Sequence, residues 1–255
     1  MIPVFIILVP YRDRARQRAW LQQHLSQQLL QTDPRTWELW FLHQANTLPF
    51  NRGAMRNLGY LFVRSRYPTH YADITLVFHD VDTAPASAGL FDYATTPGAV
   101  KHFYGLEHCL GGIVSIRAAD FERTEGYPNY WSWGYEDNLF QDRVLRAGLQ
   151  IDRSQFAPMG HPSVHQVNDE GPQRWISRSD IERYVRRHSE DTNDGWRDLR
   201  ALQWVVEEAA CFVHVVAFVS RHPPGAMRVI DASEHKTLLP FLEDELPLPK
   251  KRRGL

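Results

Sequence analysis

The chain has 255 residues, and its 29 Lys and Arg nearly balance its 30 Asp and Glu, for a formal net charge of −1. This length buries one sizeable core, which predicts one large domain or a domain with a small appendage. The near-neutral charge argues against nucleic acid as a partner. Cys109 and Cys211 are too few for a disulfide framework and are compatible with a reducing compartment.

The first half of the chain alternates between predicted strands and helices. Residues 1–10 are apolar but too short to span a bilayer, and without a basic leader or a cleavage site they predict the first strand. A helix over about 14–31 follows, because its leucines recur every four residues. A strand over 37–42, a second helix entered through Phe50-Asn51-Arg52-Gly53 and a strand over 74–78 complete a β-α-β-α-β order. That order predicts an α/β fold with a mostly parallel sheet and flanking helices.

The third predicted strand runs into two carboxylates. Residues 74–78 form an apolar run of β-forming residues, as expected where both faces of a sheet are covered. Asp80 and Asp82 follow, and side chains two apart point the same way, here toward the crevice where open α/β sheets place ligands. Two adjacent acids repel, and a divalent cation carrying nucleotide phosphates would relieve that repulsion. The simpler alternative is two solvated acids at a strand end.

The second half of the chain is less regular. Strands are predicted over 99–104 and 112–116, the latter opened by Gly111-Gly112, a pair that lets the backbone come close to a ligand or another segment. A helix to about residue 147, a helix near 179–188 and a strand over 213–219 follow. Residues 231–255 have little periodicity and predict a disordered C-terminal tail.

A second chemical signal lies in residues 131–138, Trp-Ser-Trp-Gly-Tyr-Glu-Asp-Asn. Glu136 and Asp137 stand at the entry of a predicted helix, where the dipole and the free amides favour charged carboxylates. In a purely structural interpretation they are first-turn acids beside two core tryptophans. In a functional interpretation, an indole packs against a sugar ring while a carboxylate takes the proton from an attacking sugar hydroxyl.

Five motifs, in this order, resemble those of the β-1,4-galactosyltransferase family, which is glycosyltransferase family 7. The resemblance covers roughly residues 3–220, by spacing as well as by motif. The motifs are Val9-Pro10-Tyr11-Arg12-Asp13-Arg14, Leu42-His43-Gln44 with Phe50-Asn51-Arg52, Asp80-Val81-Asp82, Gly111-Gly112-Ile113-Val114-Ser115, and Gly126 to Asp137 with its Trp-x-Trp-Gly-x-Glu-Asp.

The resemblance implies a GT-A fold in one domain over about 1–230, with a nucleotide-binding half over about 1–105 and an acceptor-binding half over about 106–230. It also implies an inverting transfer of galactose or a relative from a UDP-sugar to a saccharide acceptor, with Mn²⁺ as cofactor. In such a displacement the leaving UDP gathers negative charge, which the cation and arginines stabilise most in the transition state. An opposing carboxylate removes the proton of the acceptor hydroxyl.

Residue roles carry over from the family position by position. Asp137 is implied as the catalytic base, and Glu136 as a catalytic hydrogen-bond partner of the acceptor. Asp82 is implied as the direct metal ligand, with Trp133 and Tyr130 on the acceptor side. The implied donor-binding residues are Pro10, Tyr11, Arg12, Arg14, Phe50, Arg52, Asp80, Val81, Cys109, Gly111 and Gly112.

The remaining metal ligands depart from the family pattern. In the family they lie after the Glu-Asp helix, as a His with, in some members, a Met three residues before it. Here the residue three after Met159 is Pro162, so His165 is the first candidate ligand and His161 the second. Either is alternatively a loop histidine. By the same analogy, residues 166–179 form a lid over the donor, with Gly171-Pro172 as its hinge.

The residue two before Gly-Gly also departs from the pattern. In galactose-using members a Tyr at this position crowds C2 of the sugar, and here the position holds Cys109. The smaller side chain leaves room for an N-acetyl group, so we expect UDP-GalNAc to be accepted alongside UDP-Gal. Alternatively, His108 or Leu110 refills the space and galactose selectivity survives.

Two other classes of protein stay open on sequence alone. One is a chondroitin-polymerase-like GT-A transferase of another UDP-sugar, and the other is a non-catalytic sugar- or nucleotide-binding module. Retention of Asp82, Asp137 and a candidate His argues against the second. Family members typically carry a Golgi membrane anchor and stem, and the chain as written has neither. This predicts a microbial or viral relative working in the cytoplasm, or a shortened form of a longer protein.

Overall fold

The structure is a computed structural model that describes residues 1–32, 34–167, 174–185 and 194–230. The predicted hinge Gly171-Pro172, residues 186–188 of the fourth predicted helix and the predicted tail 231–255 lie outside the described residues. The α-helices are α1 (Ala15–Thr32), α2 (Arg52–Arg66), α3 (Ala118–Arg123), α4 (Glu136–Arg146) and α5 (Arg178–Val185). The strands are β1 (Phe5–Tyr11), β2 (Trp37–Gln44), β3 (Thr75–His79), β4 (Thr83–Pro85), β5 (Ala99–Gly105), β6 (Ile113–Arg117), β7 (Gln150–Asp152), β8 (Ala157–Pro158), β9 (Val164–Gln166), β10 (Arg174–Ser177), β11 (Arg200–Glu207), β12 (Phe212–Val219) and β13 (Met227–Ile230).

A nine-stranded sheet runs through the described part of the chain, in the order β11-β12-β2-β1-β3-β6-β5-β7, with β8 beside β5. The pairs β12–β2, β2–β1, β1–β3, β5–β7 and β5–β8 are parallel, whereas β6 is antiparallel to both β3 and β5, and β11 is antiparallel to β12. The predicted α/β class with a mostly parallel sheet is therefore confirmed, and the antiparallel β6 makes the sheet mixed.

Both faces of the central strands are covered, as the continuous apolar runs predict. In β1, Ile6 and Leu8 belong to the core cluster that contains α2, while Ile7 and Val9 belong to the cluster with Leu21, Leu25 and Leu29 of α1. This alternation follows from the two-residue period of a strand, which sends successive side chains to opposite faces. The sheet is thus a middle layer between α1 and α2.

The topology brings three polar segments to one edge of the sheet. Strands β1, β2 and β3 run parallel, so their carboxyl ends, at Tyr11, Gln44 and His79, lie along the same edge. The segments that follow these strands carry the arginines of the first motif and the Asp80-Val81-Asp82 motif. This is the edge at which open α/β sheets bind ligands.

Three strands that the sequence interpretation did not predict lie in the last third of the described chain. β11 is the edge strand next to β12, and β10 pairs with β13 in a separate two-stranded sheet. None of the α-helices described in the structure is long and apolar enough to cross a membrane.

Candidate active site

A cavity of about 700 Å³ opens at the carboxyl ends of β1, β2 and β3. Its volume falls in the range of small-molecule sites. The lining residues are Pro10, Arg12, Asp13, Arg14, Thr47, Leu48, Pro49, Phe50, Arg52, Asp80, Val81, Asp82, Ser132, Trp133, Gln166, Trp175 and Met227. A smaller cavity of about 340 Å³, between α1 and the segment after β4, contains none of the predicted site residues. The larger cavity is therefore the candidate active site.

Arg52 stands at the first position of α2, on the cavity wall. The helix start is fixed by buried Asn51, whose side-chain oxygen accepts a hydrogen bond from the Ala54 amide at 2.8 Å. From there the Arg52 guanidinium contacts three carboxylates, which are Asp80 at 2.5 Å and Glu136 and Asp137 at 3.1 Å each. Arg52 thus links Asp80, at the end of β3, to Glu136 and Asp137, at the start of α4. Neither motif by itself predicted this link.

The two helix-entry carboxylates lie behind Arg52, at the amino end of α4. The α4 start follows Tyr135, whose φ of 65° is left-handed. Burial and then the charge of Asp137 raise the pKa of Glu136. Burial alone would also raise the pKa of Asp137, but Arg52 and Arg56 outweigh it, and the pKa of Asp137 is lowered. The arginines therefore keep Asp137 ionised, the state that a general base requires.

The paired glycines pack against these carboxylates and the strand-end acids. A Cβ on Gly111 would lie 2.4 Å from Oδ2 of Asp137, and the Gly112 carbonyl accepts a hydrogen bond from the Asp80 amide at 3.1 Å. Gly112 has a φ of +71°, and a Cβ there would lie 2.1 Å from the carbonyl oxygen of Tyr104. Neither glycine lines the cavity, so the structure places them as spacers for Asp80 and Asp137.

Asp82 lines the cavity beside Asp80, and its side chain forms no ion pair within the described residues. The charges of Arg52 and Arg14 lower its pKa, but by less than burial and Asp80 raise it. Burial, followed by the charge of Asp80, raises the pKa of Asp82 to about 6. A hard divalent cation is bound by such oxygen ligands and would remove the repulsion between the two acids. Asp80 and Asp82 thus offer the type of oxygen donor that a divalent metal binds, and the role of Asp82 as its direct ligand stays a prediction.

The two histidines predicted as metal ligands lie off the cavity wall. His165 is in β9, opposite Ala84 of β4, and its ring packs edge-on against His24 at 5.8 Å. The next residue, Gln166, lines the cavity instead. His161 is exposed and hydrogen-bonds the Ser163 side chain at 2.7 Å. In the described part of the chain, no cluster of three or more His, Cys, Asp or Glu is arranged to hold a metal. The role of His165 and His161 as metal ligands stays a prediction.

The first motif divides between the cavity and the core. Pro10, Arg12 and Arg14 line the cavity, whereas Tyr11, on the opposite side of the strand, packs against the Phe41 and Phe212 rings. The Arg12 guanidinium donates to the carbonyl oxygens of Gln44 at 3.2 Å, Asn46 at 2.8 Å and Leu48 at 2.5 Å. It also lies 5.7 Å from the centroid of the Phe50 ring. Arg12 therefore shapes the loop that precedes α2, with its charge close to the cavity.

Two exposed indoles stand together at the mouth of the cavity. The side chains of Trp133 and Trp175 are 40% and 54% exposed, and the Trp133 amide donates to the Trp175 carbonyl at 2.8 Å. Both line the cavity, and Met227 lies beside them. Tyr130 is buried instead, and the Arg183 guanidinium lies 4.9 Å from its ring centroid. Of the two residues predicted on the acceptor side, Trp133 therefore lines the cavity, beside Trp175, and Tyr130 does not; their role in acceptor binding stays a prediction.

Cys109, the predicted determinant of donor choice, is buried and does not line the cavity. Burial, with a contribution from Asp137, raises the pKa of its thiol to about 12, so the thiol is neutral at ordinary pH. It precedes Leu110, whose amide donates to the Asp137 carbonyl at 3.1 Å. Cys109 is therefore close to the helix-entry acids, and its contact with a donor sugar stays a prediction.

Sequence reasoning missed four residues of this site. Arg56 is one helical turn after Arg52, and a cation in the apolar stripe of α2 was the available signal. Trp175 falls within the predicted lid, which was the signal for it. Gln166 is next to His165 in β9, and the alternation of side chains along a strand is why it, and not His165, lines the cavity. Met227 carried no local signal.

An α/β fold with a mixed sheet, with arginines and acids at the carboxyl edge of the parallel strands, defines the GT-A class of glycosyltransferase folds. A Drosophila β-1,4-galactosyltransferase 7 mutant, solved with manganese, UDP-Gal and xylobiose, superimposes with a TM-score of 0.62 at 21% identity. That match covers 84% of this chain and 94% of the solved chain.

Sequence comparisons identify the family within that class. Residues 4–91 match a family model described as the N-terminal region of glycosyl transferase group 7, and residues 98–166 match one described as the N-terminal domain of galactosyltransferase. The chain belongs to glycosyltransferase family 7, the β-1,4-galactosyltransferase family.

Curated relatives carry the same family name. Drosophila melanogaster β-1,4-galactosyltransferase 7 is 30% identical over 165 residues, which are 60% of this chain and 48% of that protein. Human β-1,4-galactosyltransferase 3 is 28% identical over 230 residues, which are 86% of this chain and 56% of that protein. The chain thus spans about half the length of the curated relatives it matches.

Proposed function

We propose that the chain is an inverting, metal-dependent hexosyltransferase that moves galactose or N-acetylgalactosamine from a UDP-sugar to a hydroxyl of a saccharide acceptor. One observation carries the proposal. A single arginine on the cavity wall, Arg52, hydrogen-bonds both the strand-end acid Asp80 and the helix-entry acids Glu136 and Asp137. Asp80, on the proposed donor side, and Asp137, on the proposed acceptor side, are therefore separated only by the Arg52 side chain. Family membership supports the same reaction.

The donor side of the proposed site is the edge formed after β1 and β3. Pro10, Arg12, Arg14, Phe50, Arg52, Asp80 and Val81 line the cavity and are proposed to bind the UDP-sugar. Asp82 is proposed to hold Mn²⁺, with His165, or alternatively His161, reaching it through movement of the segment around β9. When bound, the cation stabilises the negative charge that develops on the leaving diphosphate. The Drosophila structure noted above contains manganese and UDP-Gal, which supports this choice of cofactor and donor.

Asp137 is proposed as the general base. As the acceptor oxygen forms its bond to the anomeric carbon, Asp137 takes the hydroxyl proton, and the sugar–phosphate bond breaks with its electron pair leaving on UDP. Its lowered pKa keeps it ionised, while the raised pKa of Glu136 suits that residue to hydrogen-bond the acceptor. A carboxylate with a low pKa suffices, because the acceptor hydroxyl becomes acidic only as its new bond forms.

The acceptor is proposed to pack on the exposed Trp133 and Trp175 at the cavity mouth. Indole faces are apolar and match the apolar faces of sugar rings, while their rim keeps polar groups in water. We further propose that residues 1–105 form the nucleotide-binding half and residues 106–230 the acceptor half. Cys109 is proposed to leave room for an N-acetyl group, so that UDP-GalNAc serves beside UDP-Gal.

The test is release of UDP from a panel of UDP-sugars, each with and without a set of saccharide acceptors and with and without Mn²⁺. We expect acceptor-stimulated UDP release from UDP-Gal or UDP-GalNAc, abolished by chelation. The Asp137→Asn variant serves as the inactive control with intact donor binding. Release only from another UDP-sugar would indicate the chondroitin-polymerase-like alternative, and donor binding without release would indicate a non-catalytic module.

A further inference from the structure

Arg56 is a full positive charge inside the main apolar core. It lies one turn after Arg52 in α2, a helix whose Met55 and Leu58 belong to that core, and its side chain is completely buried. A buried arginine stays protonated and is unfavourable unless it is paired, whereas an apolar residue of similar volume packs without that penalty. Packing alone therefore does not explain why an arginine occupies this position.

Hydrogen bonding gives Arg56 one partner among the described residues. Its Nη1 donates to Oδ1 of Asp137, while Nε and Nη2 are buried without a hydrogen-bond partner. Asp80 lies 3.6 Å from Nη2, at ion-pair distance but beyond hydrogen-bonding distance. The guanidinium lies 4.4 Å from the centroid of the Tyr127 ring, which itself stacks on Phe140. Arg56 is thus held by the Tyr127 ring, and among the described residues its side chain hydrogen-bonds a single carboxylate oxygen, Oδ1 of Asp137.

The two oxygens of Asp137 are held by two different arginines. Oδ1 accepts from buried Arg56, and Oδ2 accepts from Arg52 at 3.1 Å. Arg52 lines the cavity and also binds Asp80, so an incoming diphosphate competes directly for its guanidinium. Arg56 does not line the cavity, so a donor does not compete for it. The two contacts to Asp137 therefore respond differently to a ligand.

We propose that Arg56 is a positioning residue that holds Asp137 through Oδ1 in the free and the donor-bound protein, so that Oδ2 is the oxygen that accepts the acceptor proton. The inference rests on the proposed function, because it assigns a role within that reaction. In this proposal Oδ2 of Asp137 is the proton acceptor, and Arg56 fixes its orientation. Oδ2 becomes free when donor phosphates draw the Arg52 guanidinium away from it.

The groups around Asp137 determine what the loss of Arg56 does. Arg52 and Arg56 face it from α2, Glu136 adjoins it on α4, and Asp80 lies across Arg52. The other nearby titratable groups are neutral at ordinary pH, because burial raises the pKa values of Tyr127 and Cys109 and lowers that of His102. Without Arg56, one of the two arginines that lower the pKa of Asp137 is lost, so that pKa rises relative to the native chain.

The first test compares Arg56→Met, Arg56→Lys and the native chain by kcat across about pH 3 to 9 at saturating donor and Mn²⁺, and by the KM for the donor. We expect Arg56→Met to lower kcat by about 10- to 100-fold and to move the acid limb of the profile up by about one pH unit or more. The donor KM stays within about twofold, because Arg56 does not reach the cavity. Arg56→Lys keeps the limb near its native position because it keeps a charge.

The matched control is Arg64→Met, on the same helix but with a side chain that is 43% exposed and 3.7 Å from Glu122. It is expected to leave the profile unchanged. A profile of Arg56→Met that falls equally at every pH, with an unmoved acid limb, overturns the proposal, since that is the signature of a merely structural role.

A second test needs no activity and so separates this inference from the proposed function. Melting temperatures are compared for Arg56→Met in the native and in the Asp137→Asn background. If Arg56 is retained for Asp137, its replacement lowers the melting temperature clearly in the native chain and much less, or not at all, in the second background. Equal losses in both backgrounds refute the pairing. Failure of the native chain to release UDP refutes the proposed function and leaves this comparison valid.

Discussion

Replacing Asp82 by Asn should stabilise the metal-free protein at neutral pH and abolish its stabilisation by Mn²⁺. Asp82 is the one acid of the Asp80-Val81-Asp82 motif without an ion-pair partner among the described residues, and its charge lies next to that of Asp80. The Asn side chain has nearly the same shape and no charge. It therefore removes the repulsion and, with it, the ligand that a divalent cation requires.

The magnitude and sign follow from the pKa of Asp82, which is raised from 3.8 to about 6 by burial and then by Asp80. A folded-state pKa above the unfolded one means that the folded chain binds the proton more tightly. Stability is therefore lost as the pH rises from about 4 through about 6 and is regained below that window. The shift corresponds to roughly 2–3 kcal/mol at pH 7 as an upper figure.

The assay is urea unfolding of the native chain and Asp82→Asn in EDTA between about pH 4 and pH 7.5, followed by thermal melts with and without Mn²⁺. The two proteins should be nearly equal in stability at pH 4, and the variant should be more stable at pH 7. Mn²⁺ should raise the melting temperature of the native chain alone. A variant that is less stable than the native chain at pH 7 in EDTA, or that responds equally to Mn²⁺, would refute the reasoning.

Four further predictions test the site. Asp137→Asn should reduce turnover by about 10²-fold or more with donor binding intact, measured by kcat and donor affinity. Gly111→Ala should lower kcat with a smaller change in donor KM, since its Cβ would lie 2.4 Å from Oδ2 of Asp137. Cys109→Tyr should shift the UDP-GalNAc to UDP-Gal turnover ratio toward UDP-Gal by about 10- to 100-fold. If His165 is a metal ligand, His165→Ala should weaken Mn²⁺-dependent melting more than Gln166→Ala does; the reverse order would assign the contact to Gln166.

Local signals in the sequence were sufficient for the central part of the fold. The apolar runs of β1 and β3, and the leucine period of α1, depend on burial that is decided within one element, and all three elements lie where the sequence predicted them. The same holds for Asp80 and Asp82, because a strand end and a two-residue spacing place both acids in the cavity.

Features that depend on long-range packing could not be predicted in this way. β11 is an edge strand whose side chains alternate between exposed and half-buried, so its apolar residues give only a weak pattern. β10 is stabilised by β13, which lies some 50 residues further along the chain. The alternation that placed Asp80 and Asp82 correctly also separates Tyr11 from Pro10 and Arg12, a consequence that the motif match did not take into account.

In the proposed reaction, the charges of the site connect donor binding to the base. Two arginines of α2, Arg52 and Arg56, lie among four carboxylates. These are Asp80, Asp82, Glu136 and Asp137, and Arg52 contacts all of them except Asp82. A diphosphate adds negative charge to this site, which Arg12 and Arg14 on the cavity wall offset in part and a divalent cation beside Asp82 would offset further. The phosphates then compete with the acids for Arg52, which lines the cavity, whereas Arg56 does not. Every contact that Arg52 gives up to a donor is a contact removed from Oδ2 of Asp137, so the proposed base becomes available at the step in which its reaction partner arrives.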